Sequence, residues 1–199
     1  MATSTKIAGR GVTSGPTADW VNPNNIASSD NVYASVSLTY GSVTTSVSDY
    51  LRADYFYFDI PAMATIDGIV GTVERYASSA STIRDYAIQA LKNGTAVATN
   101  KSVGTYWSST EGSVSYGSPT DLWGTTWTPD DINNLTSGFT IRCEYTPGYG
   151  GASAYVDTMS MTVYYTDTDN LKYGTTSTIR VYYGTTEIKA VYYGTTQIA

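Results

Sequence analysis

The fold of this chain is decided between residues 49 and 76, which read Asp49-Tyr-Leu-Arg-Ala-Asp-Tyr-Phe-Tyr-Phe-Asp-Ile60, Pro61-Ala-Met-Ala-Thr65 and Ile66-Asp-Gly-Ile-Val-Gly-Thr-Val-Glu-Arg-Tyr76. The two long runs are rich in β-branched and aromatic residues, and neither has a helical period. One face of the second run would carry Ile69, Gly71, Val73 and Arg75. We therefore predict two core strands that form the spine of an antiparallel sandwich.

Composition limits the class of protein before any motif is considered. The 199 residues are 41% hydrophobic and only 14% charged, whereas an average domain is roughly 25% charged. The net charge is −6, and the 11 Lys and Arg residues are scattered singly along the chain. Because a nucleic-acid groove needs clustered basic side chains to neutralise phosphates, we predict that the protein binds no nucleic acid.

Two residue types limit the chemistry. The chain has no histidine and a single cysteine, Cys143, which excludes Ser-His-Asp and Cys-His catalytic arrangements and a disulfide within the chain. We interpret Cys143 as a small buried hydrophobe. The first residues lack the apolar core of a signal peptide, and no stretch approaches a membrane span. We predict a non-enzymatic protein that is made in a cytoplasm, needs no cofactor and binds no membrane.

Further runs rich in strand-forming residues bring the expected total to seven or eight strands. They are residues 34–40, 83–91, 96–99, 139–145 and 152–166. The pair Asn93-Gly94 between two of these runs is a strong signal for a two-residue hairpin turn. Turn signals at sandwich-like spacing, without βαβ units, favour an all-β, jelly-roll-like antiparallel β-sandwich over residues 18–166.

Two shorter signals lie outside these strands. Residues 1–17 are rich in Gly, Ser and Thr and are predicted to form an N-terminal arm, with Trp20 anchoring the loop that follows. In Thr128-Pro-Asp-Asp131 a cap residue precedes a proline at the first helical position, and carboxylates occupy the first turn. This order predicts the start of a helical turn.

From about residue 167 the sequence becomes a ten-residue repeat. Its copies are Leu171-Lys-Tyr-Gly-Thr-Thr176, Val181-Tyr-Tyr-Gly-Thr-Thr186 and Val191-Tyr-Tyr-Gly-Thr-Thr196. The central Gly-Thr suits a two-residue type II′ turn, so residues 167–199 are predicted to form a small β-meander with strands at 176–183 and 186–193.

So small a sheet is marginal in water, and it must dock on the main domain, a sister chain or a larger assembly. We favour contact between chains, because a tyrosine ladder leaves apolar surface on both faces. The residues expected to make these inter-subunit contacts are Tyr173, Tyr182, Tyr183, Tyr192, Tyr193, Ile188 and Ile198.

Four ordered segments resemble a β-sandwich module of tailed-bacteriophage virion proteins. They are Trp20–Asn25, Ala62–Arg75, Thr120–Asn133 and Met161–Tyr165, and they fall within residues 18–166. The terminal Tyr-Tyr-Gly-Thr-Thr repeats also look like the short repeats that end many phage structural proteins. The resemblance implies a non-enzymatic, multi-copy virion component and transfers no site residues.

Within such a particle, the resemblance leads us to expect a capsid decoration or cement protein on the head surface. It would form a homo-oligomer, with a homotrimer expected, and would contact the major capsid protein or other virion proteins. It would be made in the host cytoplasm and carried on the virion. The alternative is a tail or tail-fibre accessory module that binds host-surface glycan.

Two sets of carboxylates are candidates for chemistry. The first lies beside the tryptophans of residues 104–128 and consists of Asp121, Asp130 and Asp131. A glycosidase would need two carboxylates flanking a sugar, but helix capping explains the last two without catalysis. The second consists of Asp85, Glu74 and Asp157, which are candidate oxygen ligands for a structural Ca²⁺. No Asp-x-Asp-x-Asp-Gly spacing supports such a site, so the sequence assigns no metal.

Aromatic side chains in loop-rich segments are the candidates for glycan binding. An exposed ring would stack on a sugar. The aromatic residues in these segments are Trp107, Trp123, Trp127, Tyr106, Tyr116 and Tyr149, and the stacking candidates among them are Trp107, Tyr116 and Tyr149. The competing interpretation places large rings such as Trp123 and Trp127 at one end of the core, where they bury the most area. We favour the core interpretation.

Overall fold

Two antiparallel sheets of five strands each form the body of the protein. The structure is a computed structural model, and it describes residues 1–40, 46–146, 150–167, 172–173, 181–188, 192–193 and 196–197. The strands are β1 Ala2–Ile7, β2 Arg10–Ser14, β3 Ala34–Tyr40, β4 Tyr50–Asp54, β5 Thr65–Ala77, β6 Ile83–Lys92, β7 Thr95–Ala96, β8 Gly112–Ser118, β9 Gly138–Tyr145 and β10 Gly150–Thr166. The first sheet has the order β1-β10-β5-β8, and β3 also pairs with β10; the second has the order β2-β4-β9-β6-β7. The predicted all-β, jelly-roll-like sandwich is confirmed.

The core lies between the two sheets and follows the alternation of the sequence. On β5, Ile69, Gly71, Val73 and Arg75 all face inward and are buried, as the sequence pattern predicts. Gly71 leaves room for the opposite sheet, because a Cβ at this position would lie 3.1 Å from the ring of Phe139 on β9. Cys143 is fully buried, and burial raises the pKa of its thiol to about 12, which confirms its assignment to the core.

The first opening run departs from the predicted strand. Strand β4 ends at Asp54, and Tyr55 and Tyr57 have φ values of 59° and 53°, in a region that residues other than Gly, Asn and Asp rarely occupy. The chain therefore leaves the sheet while Phe56 and Phe58 still fill the core and stack at 5.9 Å. Strands β4 and β5 belong to different sheets, so the two runs of the predicted spine lie in separate layers and do not pair with each other.

The N-terminal residues also differ from expectation. Residues predicted to form an arm instead supply β1, which pairs with β10, and β2, which pairs with β4, so they join both sheets. Trp20 is buried, and its indole N–H donates to the carbonyl of Asp49 at 2.9 Å. The predicted anchoring role of Trp20 is confirmed.

Local signals at turns and caps were accurate. Asn93 and Gly94 link β6 to β7 with φ values of 50° and 84°, as a two-residue hairpin turn requires. The helix α1, Pro129–Asn133, begins after Thr128, which forms a capping box with Asp131. A 3-10 helix, Pro23–Ile26, follows the Trp20 loop. No helix among the described residues is long and apolar enough to cross a membrane.

The repeat region forms short ladders. Its strands are β11 Lys172–Tyr173, β12 Val181–Tyr183, β13 Thr186–Ile188, β14 Tyr192–Tyr193 and β15 Thr196–Gln197. Strands β11, β12 and β13 form one ladder and β14 and β15 another, and neither joins a sandwich sheet in the described part of the chain. Tyr183 pairs with Thr186 across a two-residue turn, and Gly184 has φ 61°, which confirms the predicted turn position.

The residues expected at an inter-subunit contact are therefore only partly placed. Tyr173, Tyr182, Tyr183, Ile188, Tyr192 and Tyr193 lie on these ladders, where only the backbone is described. Ile198 and Tyr149 lie outside the described residues.

Candidate functional site

Two clusters of polar and charged side chains lie on opposite faces of β5. Consecutive residues of this strand point to opposite sides of the sheet, so Arg75 enters the space between the sheets while Glu74 faces outward. Each residue meets side chains from distant parts of the chain. The inner cluster comprises Arg75, Asp85, Trp107 and Tyr116, and the outer cluster comprises Glu74, Glu111 and Asp157.

The inner cluster is an ion pair between the two sheets. Arg75 on β5 is 5% exposed and Asp85 on β6 is 3% exposed. Their closest atoms, Nη1 of Arg75 and Oδ1 of Asp85, lie 2.9 Å apart. The hydroxyl of Tyr116 accepts from Nη2 of Arg75 at 2.7 Å and donates to Oδ2 of Asp85 at 2.8 Å. Three side chains thus form a closed polar network inside an otherwise apolar core.

Trp107 completes this network from the segment between β7 and β8. Its indole N–H donates to Oδ1 of Asp85 at 2.8 Å, and its ring lies 4.2 Å from the guanidinium carbon of Arg75, a cation–π geometry. Burial raises the pKa of Asp85, and the positive charge of Arg75 opposes that shift. Burial also raises the pKa of Tyr116. The network therefore holds a phenol as a hydrogen-bond donor beside a carboxylate.

An open pocket of about 280 Å³ lies over this network. Its lining includes Arg75, Tyr106 and Trp107 and the hydroxyl-bearing side chains of Thr105, Ser108, Thr110 and Ser113. Within the described residues, Nε and Nη1 of Arg75 are buried and donate no well-aligned hydrogen bond, although Nη1 is close to Asp85. Since these two N–H groups are buried, the pocket offers a ligand its hydroxyls and one exposed aromatic ring, that of Tyr106 at 43%.

The expectation of glycan-stacking rings needs correction for two of its residues. Trp107 and Tyr116 are each 3% exposed, because their polar atoms serve Asp85 and their rings fill the sandwich. Neither offers an open face for a sugar ring. Trp123 and Trp127 are also buried, which confirms the interpretation that they belong to the core. The ring that does reach the pocket in exposed form belongs to Tyr106.

The outer cluster brings three carboxylates together. One oxygen each from Glu74, Glu111 and Asp157 lies within 4.8 Å of the others. The cause is a β-bulge on β10: Val156 pairs with Arg75 and Thr158 pairs with Glu74, so Asp157 is an extra residue between them. A bulge of this kind re-aims a side chain, and here it brings a carboxylate of Asp157 close to that of Glu74.

Each of these carboxylates accepts one hydrogen bond from the segment that follows the 3-10 helix. Ser29 Oγ donates to Glu74 Oε2 at 3.0 Å, the Asp30 amide to Asp157 Oδ1 at 3.3 Å, and the Tyr33 hydroxyl to Glu111 Oε2 at 3.2 Å. Burial raises the pKa of Glu111; the bond from Tyr33 lowers it, and the neighbouring carboxylates raise it further. Burial and the charge of Glu111 raise the pKa of Tyr33 to about 12.

The carboxylates singled out from the sequence are thus divided among three places. Glu74 and Asp157 do lie close together, as members of the outer cluster. Asp85 instead belongs to the inner cluster, and the third carboxylate beside Glu74 and Asp157 is that of Glu111. No sequence pattern marks Glu111, because it precedes β8, a strand whose polar and largely exposed residues give no alternation. Only the pairing of β8 with β5 brings Glu111 near Glu74.

The carboxylates near the tryptophans serve the local structure. Burial tends to raise the pKa of Asp131, but hydrogen bonds from Thr128, Lys92 and Asn93 lower it to about 2. Asp121 pairs with Lys101 at 2.5 Å and accepts from the Trp123 amide at 2.8 Å. These contacts cap a helix and fix a loop.

Comparison with known proteins yields only distant structural similarity. No family model and no curated protein matches the sequence. A solved structure described as "CBM4 structure and function" aligns with 79% of this chain and 92% of its own, at 14% identity and a TM-score of 0.37. Another, described as "domains CD (residues 230-489)", aligns with 79% of this chain and 65% of its own, at 14% identity and a TM-score of 0.40. At such values the likeness carries no argument about function.

Proposed function

We propose that this protein is a non-enzymatic structural component of a tailed-bacteriophage virion, acting as a capsid decoration or cement subunit on the head. One observation supports this proposal beyond the sequence resemblance. The repeat region forms ladders of two- and three-residue strands that pair with neither sheet of the sandwich within the described residues.

Such ladders need a partner. A sheet of two or three very short strands is marginal on its own in water, and its outer edges present unpaired N–H and C=O groups that another chain can pair with. The sandwich, by contrast, has its own complete core. We therefore assign assembly to residues 167–199 and propose a symmetric oligomer, a trimer, that contacts the major capsid protein.

Deletion of residues 168–199 tests this division of labour. The truncated protein should keep its far-ultraviolet circular dichroism spectrum and a cooperative thermal transition, but lose binding to undecorated particles. The control is Tyr57→Ala, which removes a sandwich side chain that is 62% exposed. This variant should bind particles as well as the wild type. A folded truncated protein that still decorates particles at wild-type occupancy would contradict the proposal.

The pocket over Arg75 supports a second candidate function, the binding of a host-surface glycan by a tail or fibre module. The hydroxyl groups of the lining and the exposed ring of Tyr106 suit a polyhydroxylated ligand. Tyr106→Ala should then abolish binding on a glycan array. The matched control is Tyr86→Ala, because Tyr86 is 45% exposed, close to the 43% of Tyr106, and does not line the pocket. Equal binding by wild type and both variants would reject this function.

A further inference from the structure

We propose that Glu74, Glu111 and Asp157 form a Ca²⁺ site on the outer face of the first sheet. This inference is independent of the proposed virion function, because it rests on the sandwich alone. Its starting point is the separation of the three oxygens, which lie within 4.8 Å of one another. Ca²⁺ binds oxygen at about 2.3–2.6 Å, so two oxygens on one ion are at most about 5 Å apart.

A second observation points to a missing ligand at this position. Oε1 of Glu111 and Oγ1 of Thr158 are buried and have no hydrogen-bond partner among the described residues. Thr158 is 7% exposed and pairs directly with Glu74 on β5, so the two side chains face the same side of the sheet. A buried oxygen without a partner destabilises the folded chain, and a cation held between these groups would supply the missing partner.

The charge of the cluster leads to the same conclusion. Among the ion pairs of the described residues, none includes Glu74, Glu111 or Asp157. Three carboxylates without a basic partner repel one another, and Asp157 is only 2% exposed. A divalent cation would replace this repulsion with attraction.

The surrounding donors are arranged to orient the carboxylates. The bonds from Ser29, the Asp30 amide and Tyr33 each engage one oxygen of a different carboxylate, which leaves the second oxygen of each group for a ligand. Donors of this kind fix the direction of metal-binding groups. An all-oxygen set with flexible Glu side chains suits Ca²⁺ better than Mg²⁺, which requires near-ideal octahedral geometry.

Terbium provides a direct probe, since Tb³⁺ occupies Ca²⁺ sites and emits when nearby tyrosines are excited. The hydroxyl of Tyr33 lies 3.2 Å from Glu111, and the Tyr33 ring contacts Tyr76 and Tyr155 at 5.2 and 5.9 Å. We expect saturable, tyrosine-sensitised emission at one Tb³⁺ per chain. Ca²⁺ should displace Tb³⁺ at concentrations at least tenfold lower than Mg²⁺ does. No sensitised emission from the wild-type protein, or equal competition by the two ions, would overturn the assignment.

Two charge-removing variants locate the site. Glu111→Gln and Asp157→Asn should each lower the apparent affinity for Tb³⁺ by at least tenfold, whereas Asp59→Asn, at an exposed position outside the cluster, should leave it unchanged. With a Kd on the order of 10⁻⁴ M, 5 mM Ca²⁺ should raise the Tm of the wild type by about 5–9 °C over its value in EDTA. Unchanged Tb³⁺ affinity in both variants would place the ion elsewhere and overturn the proposal.

Discussion

Glu74 and Arg75 are neighbours on β5, yet their side chains enter opposite surroundings. Arg75 points between the sheets, where Asp85 supplies the compensating charge and Tyr116 and Trp107 supply hydrogen bonds and a ring face. Glu74 points to the outer face, where the nearby groups are two further carboxylates. The inner cluster is balanced by the chain itself, and the outer cluster is not.

The difference shows that the burial of a cluster of charged side chains determines where its counter-ion must come from. A charge deep between two sheets cannot obtain a counter-ion from solvent, so its partner must be built into the fold. A cluster on the outer face is within reach of solvent ions, and it can remain incomplete until one binds. The same strand therefore carries a permanent structural ion pair on one side and a candidate exchangeable site on the other.

The largest effect should follow from breaking the inner pair. Arg75→Met leaves the buried carboxylate of Asp85 without its cation, and we expect a loss of about 3–5 kcal/mol in the free energy of unfolding, measured by urea denaturation at pH 7. Adding Asp85→Asn to this variant should recover part of the lost stability, because it removes the uncompensated buried charge. The effects of the two substitutions on the free energy of unfolding are therefore not additive.

The control for this experiment is an ion pair near the surface. Arg84 and Glu144 are paired at 2.7 Å, with side chains 40% and 20% exposed. Arg84→Met should therefore cost less than about 1 kcal/mol. If Arg75→Met cost no more than Arg84→Met, the inner cluster would not be the structural ion pair described above.

A smaller loss should follow from Tyr116→Phe. The substitution keeps the ring in the core but removes the hydroxyl that bridges Arg75 and Asp85. We expect a loss of about 1–3 kcal/mol in the free energy of unfolding, because a buried charged group loses a hydrogen bond. Tyr86→Phe, at a hydroxyl on the exposed surface, is the control and should change stability by less than about 0.5 kcal/mol. Equal effects of the two substitutions would argue against the bridging role.

The smallest expected change in the free energy of unfolding is an increase, and it should follow from a substitution in the outer cluster. The pKa of Glu111 is raised in the folded chain, so between the unfolded and folded pKa values the folded state holds more protons. Stability contributed by this group therefore falls as pH rises through that window. In EDTA at pH 7, Glu111→Gln should be about 0.5 kcal/mol more stable than the wild type, and the difference should disappear on acidification. A variant less stable than wild type under these conditions would show that the carboxylates do not repel one another.

The sequence by itself determined the features that depend on neighbouring residues. Alternation on residues 66–76 identified the buried face of β5, Asn93-Gly94 located a hairpin, and Thr128-Pro129 located the helix start. These signals are readable because strand pleat, turn φ values and caps are set within a few residues. The same locality explains one failure: at Tyr55 and Tyr57, tertiary packing of Phe56 and Phe58 overrode a strand-like composition.

Both clusters were decided by the tertiary structure. Asp85 forms an ion pair with Arg75 because the sheets stack with β6 facing β5. The carboxylate of Asp157 lies close to that of Glu74 because a bulge shifts the register of β10 by one residue. Glu111 joined through a strand whose sequence carried no alternating signal. Register and stacking depend on contacts between residues far apart in the chain, and the sequence contains no local mark of which carboxylate will meet which cation.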